Sequence, residues 1–248
     1  MSPVTAAYTD WTEPAMFHGT AATVVLLRDA PAGLQVLLLE RPRHRGSFAG
    51  AWVFPGGVVD AEDYDPTADD DVELAAARQA GVRETAEETG LALELADLQR
   101  LSCWVPPPEA PRRYKTWFFL AEAPDGDVRL SPDEHVDAVW LAPAEALERH
   151  RAGTMILFPP TWVTLHGLLG TDTAAQALAG AAAAAPETYA TRQLAGHEPP
   201  AMVWHGDAQY PGVADAEAPH GDSAVPPASP LRHRLIMDQS GWTYERTK

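Results

Sequence analysis

An α/β fold in which helices pack on a mixed sheet, followed by a C-terminal extension, is the architecture that this sequence predicts. The first observation is a series of short apolar runs, rich in β-branched residues and leucine, which are typical of strands. The second is that helical segments stand between these runs, as in an α/β sandwich. The third is the length of 248 residues, which suffices for one well-filled core and an additional segment.

The predicted strands begin with a hairpin. Residues 21–27 and 34–40 are apolar runs, and the Asp-Ala-Pro-Ala-Gly sequence at 29–33 between them is a turn signal. A third run at 52–54 leads into a Pro-Gly-Gly loop at 55–57. Because glycine has no side chain, the backbone of this loop could approach a ligand closely.

The remaining elements follow from the same signals, with proline at helix starts and glycine after helix ends. They are strands at 99–105, 115–122 and 136–141, helices at 143–151 and from residue 159, an alanine-rich helix at 174–185, loops between 199 and 230, and final strands at 232–237 and 242–245. The alanine-rich helix has high propensity but little amphipathicity. We therefore expect one domain at 1–170 and an extension at 171–248, which packs on the domain or on a second subunit in a homodimer.

Charge and cysteine content exclude several classes of protein. Eighteen basic and 35 acidic residues give a net charge of −17, which repels nucleic acid and anionic membranes. Cys103 is the only cysteine, so it forms no intramolecular disulfide, and we expect a small buried strand residue. The N-terminal residues lack a signal-peptide pattern, and no apolar run approaches the roughly 20 residues of a membrane span. A soluble, cytoplasmic protein with a small-molecule substrate is expected.

Three glutamates dominate the segment before Gly90. If the segment is helical, Glu84, Glu87 and Glu88 lie at i, i+3 and i+4 and share one face. Each like-charged pair costs about 0.2–0.5 kcal/mol, and Arg83 alone cannot balance three carboxylates. A divalent cation bound by oxygen would stabilise the cluster, whereas the alternative is an ordinary solvated helix face. The opposite face, which we expect against the sheet, consists of Ala75, Val82, Ala86 and Thr89.

The loop and the acidic segment together resemble the Nudix box, Gx5Ex7REUxEExGU, in which U is a bulky aliphatic residue. The matching residues are Phe54-Pro55-Gly56-Gly57 and Arg83-Glu84-x-x-Glu87-Glu88-x-Gly90-Leu91. Thr85 stands at an aliphatic position of the box. Arg83 follows Gly57 by 26 positions instead of 14, so the box spans 56–91 with an enlarged loop at 58–80. The first glutamate of the box has two candidate counterparts, Asp63 and Glu73, and the sequence does not decide between them.

The resemblance implies a Nudix-type α/β/α sandwich and a metal-dependent hydrolase of nucleoside diphosphates linked to another group. It implies that Mg²⁺ or Mn²⁺ is bound by Glu84, Glu87, Glu88 and the Gly56 carbonyl, and that Arg83 orients the glutamates. Arg83, Glu84 and Glu87 are accordingly our catalytic candidates.

Residues outside the box provide the candidates for the general base and for the substrate contacts. Glu134 resembles a loop glutamate of several Nudix enzymes, although an exposed turn acid is an equal alternative. His135 could polarise phosphate or water, but a lone loop histidine is more often solvated. Arg41, Arg45 and Arg113 are candidates for binding substrate phosphates.

Three further sequence features resemble one branch of the family, the proteins related to peroxisomal coenzyme A diphosphatase. The features are the enlarged box, Arg112-Arg113-Tyr114-x-Thr116, and Pro159-Pro160-Thr161-x-x-Thr164-Leu165. This resemblance implies coenzyme A or an acyl derivative as the substrate. Two alternatives stay open: hydrolysis of ADP-ribose, NADH or a dinucleotide, because pocket residues set specificity, and a non-catalytic nucleotide-binding sensor.

Overall fold

The computed structural model describes residues 17–44, 49–65, 71–131, 134–211 and 230–247. The chain forms two compact units. The larger unit comprises residues 19–104 and 114–188, and the smaller unit comprises the described residues among 1–18, 105–113 and 189–248. Among the described residues, no helix is both long enough and apolar enough to cross a membrane.

The larger unit is built on a mixed sheet, as the sequence predicts. Strand β1 pairs in parallel with β6, whereas its pairings with β2 and β4 are antiparallel. The order is β3-β2-β1-β6-β5, with β7 also on β2. The strands are β1 (Gly19–Ala30), β2 (Gly33–Glu40), β3 (Trp52–Val53), β4 (Gly56–Val58), β5 (Gln99–Val105), β6 (Tyr114–Glu122) and β7 (Asp137–Leu141).

The centre of this sheet forms the core. Residues 24–27 of β1 and 36–39 of β2 are buried without interruption. A strand that faced solvent on one side would alternate, so these two strands are covered on both faces. Cys103 is buried on β5, and burial raises the pKa of its thiol to about 12. The prediction of a buried structural cysteine is therefore confirmed.

The described residues of the larger unit form four α-helices, and three of them, α1, α2 and α4, contact strands of the sheet. The helices are α1 (Val72–Thr89), α2 (Pro143–Arg151), α3 (Pro159–Gly167) and α4 (Ala174–Ala183). Helix α1 contacts β1 and β4, and α4 contacts β6 and β1. Short 3-10 turns at Ala61–Asp63 and Leu95–Asp97 flank α1. The helices expected at 143–151, from 159 and at 174–185 are confirmed.

The buried face of α1 differs from the predicted one. Ala86 is exposed and Val82 is only half-buried, although Thr89 is buried as predicted. Glu88 lies on the buried side, where it accepts a hydrogen bond from the backbone N–H of Gly56. That bond draws the acidic side of the helix toward β4. The residues that are buried instead are small: Ala76, Ala77, Ala80, Gly81 and Thr85.

The smaller unit contains an antiparallel sheet with the order β12-β11-β10-β9. Its strands are β9 (Arg192–Gln193), β10 (Ala201–Val203), β11 (His233–Asp238) and β12 (Gly241–Arg246), and β8 (Glu187–Ala190) precedes them where the chain passes between the units. The two predicted final strands are confirmed. The prediction of loops between 199 and 230 is wrong at β10, because three residues are too few to show a strand period, and its part at 212–229 lies outside the described residues. The expected domain boundary at residue 170 stays a prediction, and α4 lies in the larger unit.

Candidate active site

The loop between β3 and β4 brings backbone against the acidic side of α1. Gly56 pairs with Thr23, and Gly57 pairs with Ala22. A Cβ atom at Gly56, whose φ is +151°, would collide with the backbone of β1, and a Cβ atom at Gly57 would overlap the carboxylate of Glu84. Position 56 therefore requires glycine, whereas a side chain at position 57 would displace the carboxylate of Glu84. The carboxylate of Glu84 thus sits directly against the backbone of the glycine loop.

Arg83 holds the acidic cluster together. Its guanidinium donates to Glu84 Oε1 at 2.9 Å and to Glu87 Oε2 at 3.2 Å. It also donates to both carboxylate oxygens of Asp63, at 3.1 and 2.9 Å, and to the carbonyl of Val58 at 3.1 Å. The hydrogen bonds with Asp63 raise the pKa of Arg83 above its ordinary value. One planar cation therefore fixes two of the three predicted metal-binding carboxylates.

Asp63 occupies the position that the sequence left open. Burial alone would raise the pKa of this carboxyl, but hydrogen bonds from Arg83 and from the Asp60 N–H outweigh burial, so the pKa is lowered. Glu73, the other candidate, instead accepts from Trp117 Nε1 at 2.9 Å and pairs with Lys115 at 2.8 Å. Asp63 therefore takes the salt-bridge role toward Arg83. It keeps the box spacing counted from Gly57, so the extra residues follow it.

Glu88 differs from its two neighbours because it is buried, with 3 % of its surface exposed. Burial, together with the charges of Glu84 and Glu134, raises the pKa of Glu88 to about 8, although the Gly56 N–H at 2.9 Å and Arg41 oppose the shift. Burial also raises the pKa of Glu84, whereas the Glu87 side chain is about half exposed. A carboxyl held in its protonated form by burial would release its proton when a cation binds beside it.

The segment that begins at Glu134 reaches the same place. The backbone N–H groups of Glu134 and His135 both donate to the Ser131 carbonyl at 3.1 Å, and the Ser131 N–H donates to the carbonyl of Glu88 at 3.3 Å. One ligand atom each from Glu88, Glu134 and His135 lies within 4.8 Å of the other two. Glu134 is exposed and His135 is buried. The structure therefore brings the predicted base beside the predicted metal ligands.

His135 is the feature that sequence reasoning undervalued. The expectation of a solvated histidine is wrong, because its side chain is fully buried. Burial, and then the charge of Arg41, lower the pKa of His135 to about 4, which keeps the ring neutral near pH 7. The only sequence signal was its position directly after the candidate base, which does not reveal burial.

The three predicted substrate-binding arginines have different surroundings. Arg41 is half-buried, and its charge acts on both Glu88 and His135. Its Nε atom is buried without a hydrogen-bond partner among the described residues. Arg45 lies outside the described residues. Arg113 belongs to the smaller unit, where its guanidinium donates to the Pro106 carbonyl at 3.0 Å and stacks on Phe17.

The donor set suits a divalent cation. Carboxylate oxygens of four glutamates lie near the glycine loop: Glu84, Glu87, Glu88 and Glu134. The two arginines beside them, Arg83 and Arg41, compensate only part of this negative charge. Hard divalent ions are bound by such oxygen atoms. The buried ring of His135, with neither nitrogen hydrogen-bonded among the described residues, adds a donor without a partner to the same cluster. The residues that could hold the ion are Gly56, Glu84, Glu87, Glu88, Glu134 and His135.

A family model described as the NUDIX domain matches residues 17–158. The chain belongs to the Nudix family. The chain is similar to the crystal structure of a Nudix hydrolase from Alicyclobacillus acidocaldarius, with 27% identity, a TM-score of 0.57, and 65% of this chain and 95% of that chain covered. It is also similar to a MutT Nudix hydrolase from Burkholderia pseudomallei, with 26% identity, a TM-score of 0.44, and 60% of this chain and 95% of that chain covered. A further similar structure is an Ap4A hydrolase from C. elegans, with 26% identity, a TM-score of 0.40, and 65% of this chain and 99% of that chain covered.

Family membership confirms the resemblance that the box predicts and makes the chain a Nudix hydrolase. The matched residues include the glycine loop, α1 and the segment of Glu134 and His135, and they end at Phe158. Nudix hydrolases in general use divalent metals, which agrees with the donor set. The individual roles of the site residues remain predictions that the geometry makes testable.

Proposed function

We propose that this Nudix hydrolase cleaves the diphosphate of a nucleoside diphosphate linked to another group, using Mg²⁺ or Mn²⁺. The observation that carries the proposal is the gathering of Glu84, Glu87 and Glu88 at the glycine loop. Arg83 and the Gly56 N–H hold these carboxylates in place. In the proposal the three carboxylates and the Gly56 carbonyl hold the ion. When bound, such an ion supplies charge neutralisation for phosphate oxygens and favours ionisation of water.

The residues of the chain then have separate tasks. Asp63 fixes the Arg83 guanidinium, which keeps Glu84 and Glu87 from turning outward. Glu134 lies beside Glu88 and is exposed, so its carboxylate can accept a proton from the attacking water. The water oxygen forms a bond to one phosphorus, and the bridging P–O bond breaks. The bridging oxygen stays on the other phosphorus, so both products are phosphate monoesters. Water supplies two protons, and both are released when the two monoesters are dianions.

Coenzyme A or an acyl derivative is the substrate that we propose first. The support is the branch resemblance carried by the enlarged box, the residues around Arg113 and those of α3. Cleavage would give a phosphopantetheine and adenosine 3′,5′-bisphosphate. Arg41, which lies beside the acidic cluster, and Arg45 would bind phosphates. ADP-ribose, NADH or a dinucleotide is the alternative substrate class, and a sensor without turnover is the alternative function.

Product analysis tests the proposal. Coenzyme A, acetyl-coenzyme A, ADP-ribose, NADH and a diadenosine polyphosphate are incubated with Mg²⁺ or Mn²⁺, with and without chelator. Glu87→Gln should abolish turnover, whereas Glu148→Gln should not, because Glu148 is an exposed residue of α2 paired with Arg151. Metal-dependent cleavage of one class identifies the substrate. Tight binding in calorimetry without any product would instead establish the sensor.

A further inference from the structure

His135 is buried beside the acidic cluster, and its ring makes no hydrogen bond with the described residues. The residue is 2 % exposed, and both Nδ1 and Nε2 lack a partner. A buried imidazole normally satisfies at least one nitrogen, because an unmade hydrogen bond in the interior costs free energy. The ring nitrogens therefore indicate a partner that protein atoms do not supply.

The ring faces carboxylates. Nε2 lies 3.7 Å from Glu88 Oε1, which is too far for a hydrogen bond. Ligand atoms of Glu88, Glu134 and His135 all lie within 4.8 Å of one another. Two ligands of one ion, each about 2.1 Å from it, are separated by roughly 3 to 4.2 Å. His135 Nε2 and Glu88 Oε1, which are 3.7 Å apart, already have such a separation, and Glu134 lies beside them.

The backbone keeps this ring in the cluster. The His135 N–H donates to the Ser131 carbonyl, and the following Val136 N–H donates to the Glu40 carbonyl at the end of β2 at 2.9 Å. Ser131 is tied in turn to the Glu88 carbonyl at the end of α1. Because both sides of His135 are fixed to secondary structure, its Cα stays beside the cluster, and the packing of its fully buried side chain keeps the ring there.

We propose that His135 supplies a nitrogen ligand, beside Glu88, to a divalent ion, so that this centre prefers Mn²⁺ or another transition metal to Mg²⁺. Mg²⁺ takes oxygen ligands and keeps several waters, whereas imidazole suits transition metals. The charge of Arg41 acts on Glu88 and His135 and offsets part of the negative charge of the cluster. Because this weakens the electrostatic attraction for a cation, coordination by the His135 nitrogen would add affinity that charge alone would not provide. This role rests on the metal centre of the proposed function.

Pulsed electron paramagnetic resonance of bound Mn²⁺ tests the role directly, without reference to turnover. The full chain is prepared with natural histidine and with ¹⁵N-labelled histidine. We expect the echo modulation to show a directly bound nitrogen whose frequencies change with the label. In His135→Gln the nitrogen signal should vanish. His166→Gln is the matched control, because His166 lies on α3 and stacks on Trp162, and it should keep the signal.

Affinity gives a second readout. Loss of the nitrogen ligand should weaken Mn²⁺ binding about tenfold or more, measured from the free Mn²⁺ signal, and should weaken Mg²⁺ binding less, measured by competition. Bound Mn²⁺ without a histidine nitrogen signal would overturn the role of His135 while leaving the proposed hydrolysis intact. Absence of any Mn²⁺ binding would overturn both. If His135→Gln does not fold, absence of a histidine nitrogen signal in the labelled unmodified chain still overturns the role.

Discussion

Two arginine–aspartate pairs in this molecule differ in what surrounds them. In the smaller unit, Arg234 binds both oxygens of Asp207, and the two side chains are 4 % and 0 % exposed. Asp207 also accepts from the backbone N–H groups of His233 and Gln209. All the charge and most of the hydrogen-bonding capacity of this pair are used within the fold.

In the larger unit, Arg83 binds both oxygens of Asp63, but the same guanidinium is shared with Glu84 and Glu87. Its side chain is 27 % exposed. Three carboxylates share one cation, so negative charge and oxygen lone pairs remain for a ligand. The comparison indicates that a saturated buried pair leaves no capacity for a ligand and tolerates the loss of neither partner, whereas an under-compensated one marks a site.

Arg234→Met should produce the largest effect on stability. It leaves the Asp207 carboxylate buried without a cation, which costs about 3–5 kcal/mol of unfolding free energy. Arg83→Met should cost less than Arg234→Met, because Arg83 is 27 % exposed and two of the carboxylates that it leaves, Glu84 and Glu87, are closer to solvent than Asp207, but it should abolish turnover. Urea unfolding of both variants measures the difference. Equal losses of stability would contradict the distinction between the two pairs.

Gly57→Ala should reduce turnover about 100-fold, because its Cβ would displace the Glu84 carboxylate by roughly an ångström or more. Stability should change less than in Arg234→Met. Gly180→Ala is the matched control, since a Cβ at that helix position meets no atom within 4 Å. The comparison of kcat for the two variants is the measurement, and full activity of Gly57→Ala would show that the position of Glu84 is unimportant.

The two regions should also respond to pH with opposite signs. Burial would raise the pKa of Asp207, but hydrogen bonds, first from Arg234, lower it overall. The stabilising contribution of the ionised Asp207 is therefore present when the pH is above the ordinary aspartate pKa near 3.9. It is lost as the pH falls through the lower pKa that Asp207 has in the folded state. The pKa of Glu88 is raised to about 8, so its contribution is present below the ordinary value near 4.3 and is lost as the pH rises through 8.

Urea unfolding in chelator from pH 2 to pH 9 measures these contributions. Asp207→Asn should flatten the acid limb, and Glu88→Gln should flatten the decline between pH 5 and pH 8. A divalent cation should diminish that decline in the unmodified chain, because it favours the ionised carboxylate. If the stability of Glu88→Gln fell between pH 5 and pH 8 as much as that of the unmodified chain, other groups would cause the decline.

Much of the fold and part of the site could be predicted because their signals are local. The helix predicted at 143–151 has these bounds in the structure, since a proline begins it and its last turn is basic. The glycine loop and the glutamates of α1 are found from spacing within two short segments. Their shared position follows from one strand pairing, that of β4 with β1.

Other features depend on contacts that no local pattern contains. His135 is buried because Ser131, Glu40 and Glu88 fix the backbone around it, and two of these residues, Glu40 and Glu88, are distant in sequence. The buried side of α1 is set by the hydrogen bond from Gly56 to Glu88. The short strand β10 exists only through its pairing with β9 and β11, so sequence periodicity could not reveal it.

The partner of Arg83 provides the smallest and most specific test. Glu73 precedes Arg83 by ten residues on α1, which places it about 15 Å away along the helix axis, too far for a salt bridge. Asp63→Asn keeps the shape but removes the charge that fixes Arg83, so activity should fall about tenfold, as for other residues that orient metal ligands. Asp63→Glu, which introduces the usual glutamate of the box, should lower activity less.

Glu73→Gln is the control, because Glu73 contacts Lys115 and Trp117 rather than Arg83. Its kcat/KM should stay near that of the unmodified chain. If Glu73→Gln lowered activity as much as Asp63→Asn, Glu73, which follows the inserted residues, would share the role of the first glutamate of the box. If only the Asp63 variants lose activity, an aspartate that keeps its spacing from Gly57 can replace the glutamate of the box, while the insertion is accommodated between Asp63 and Arg83.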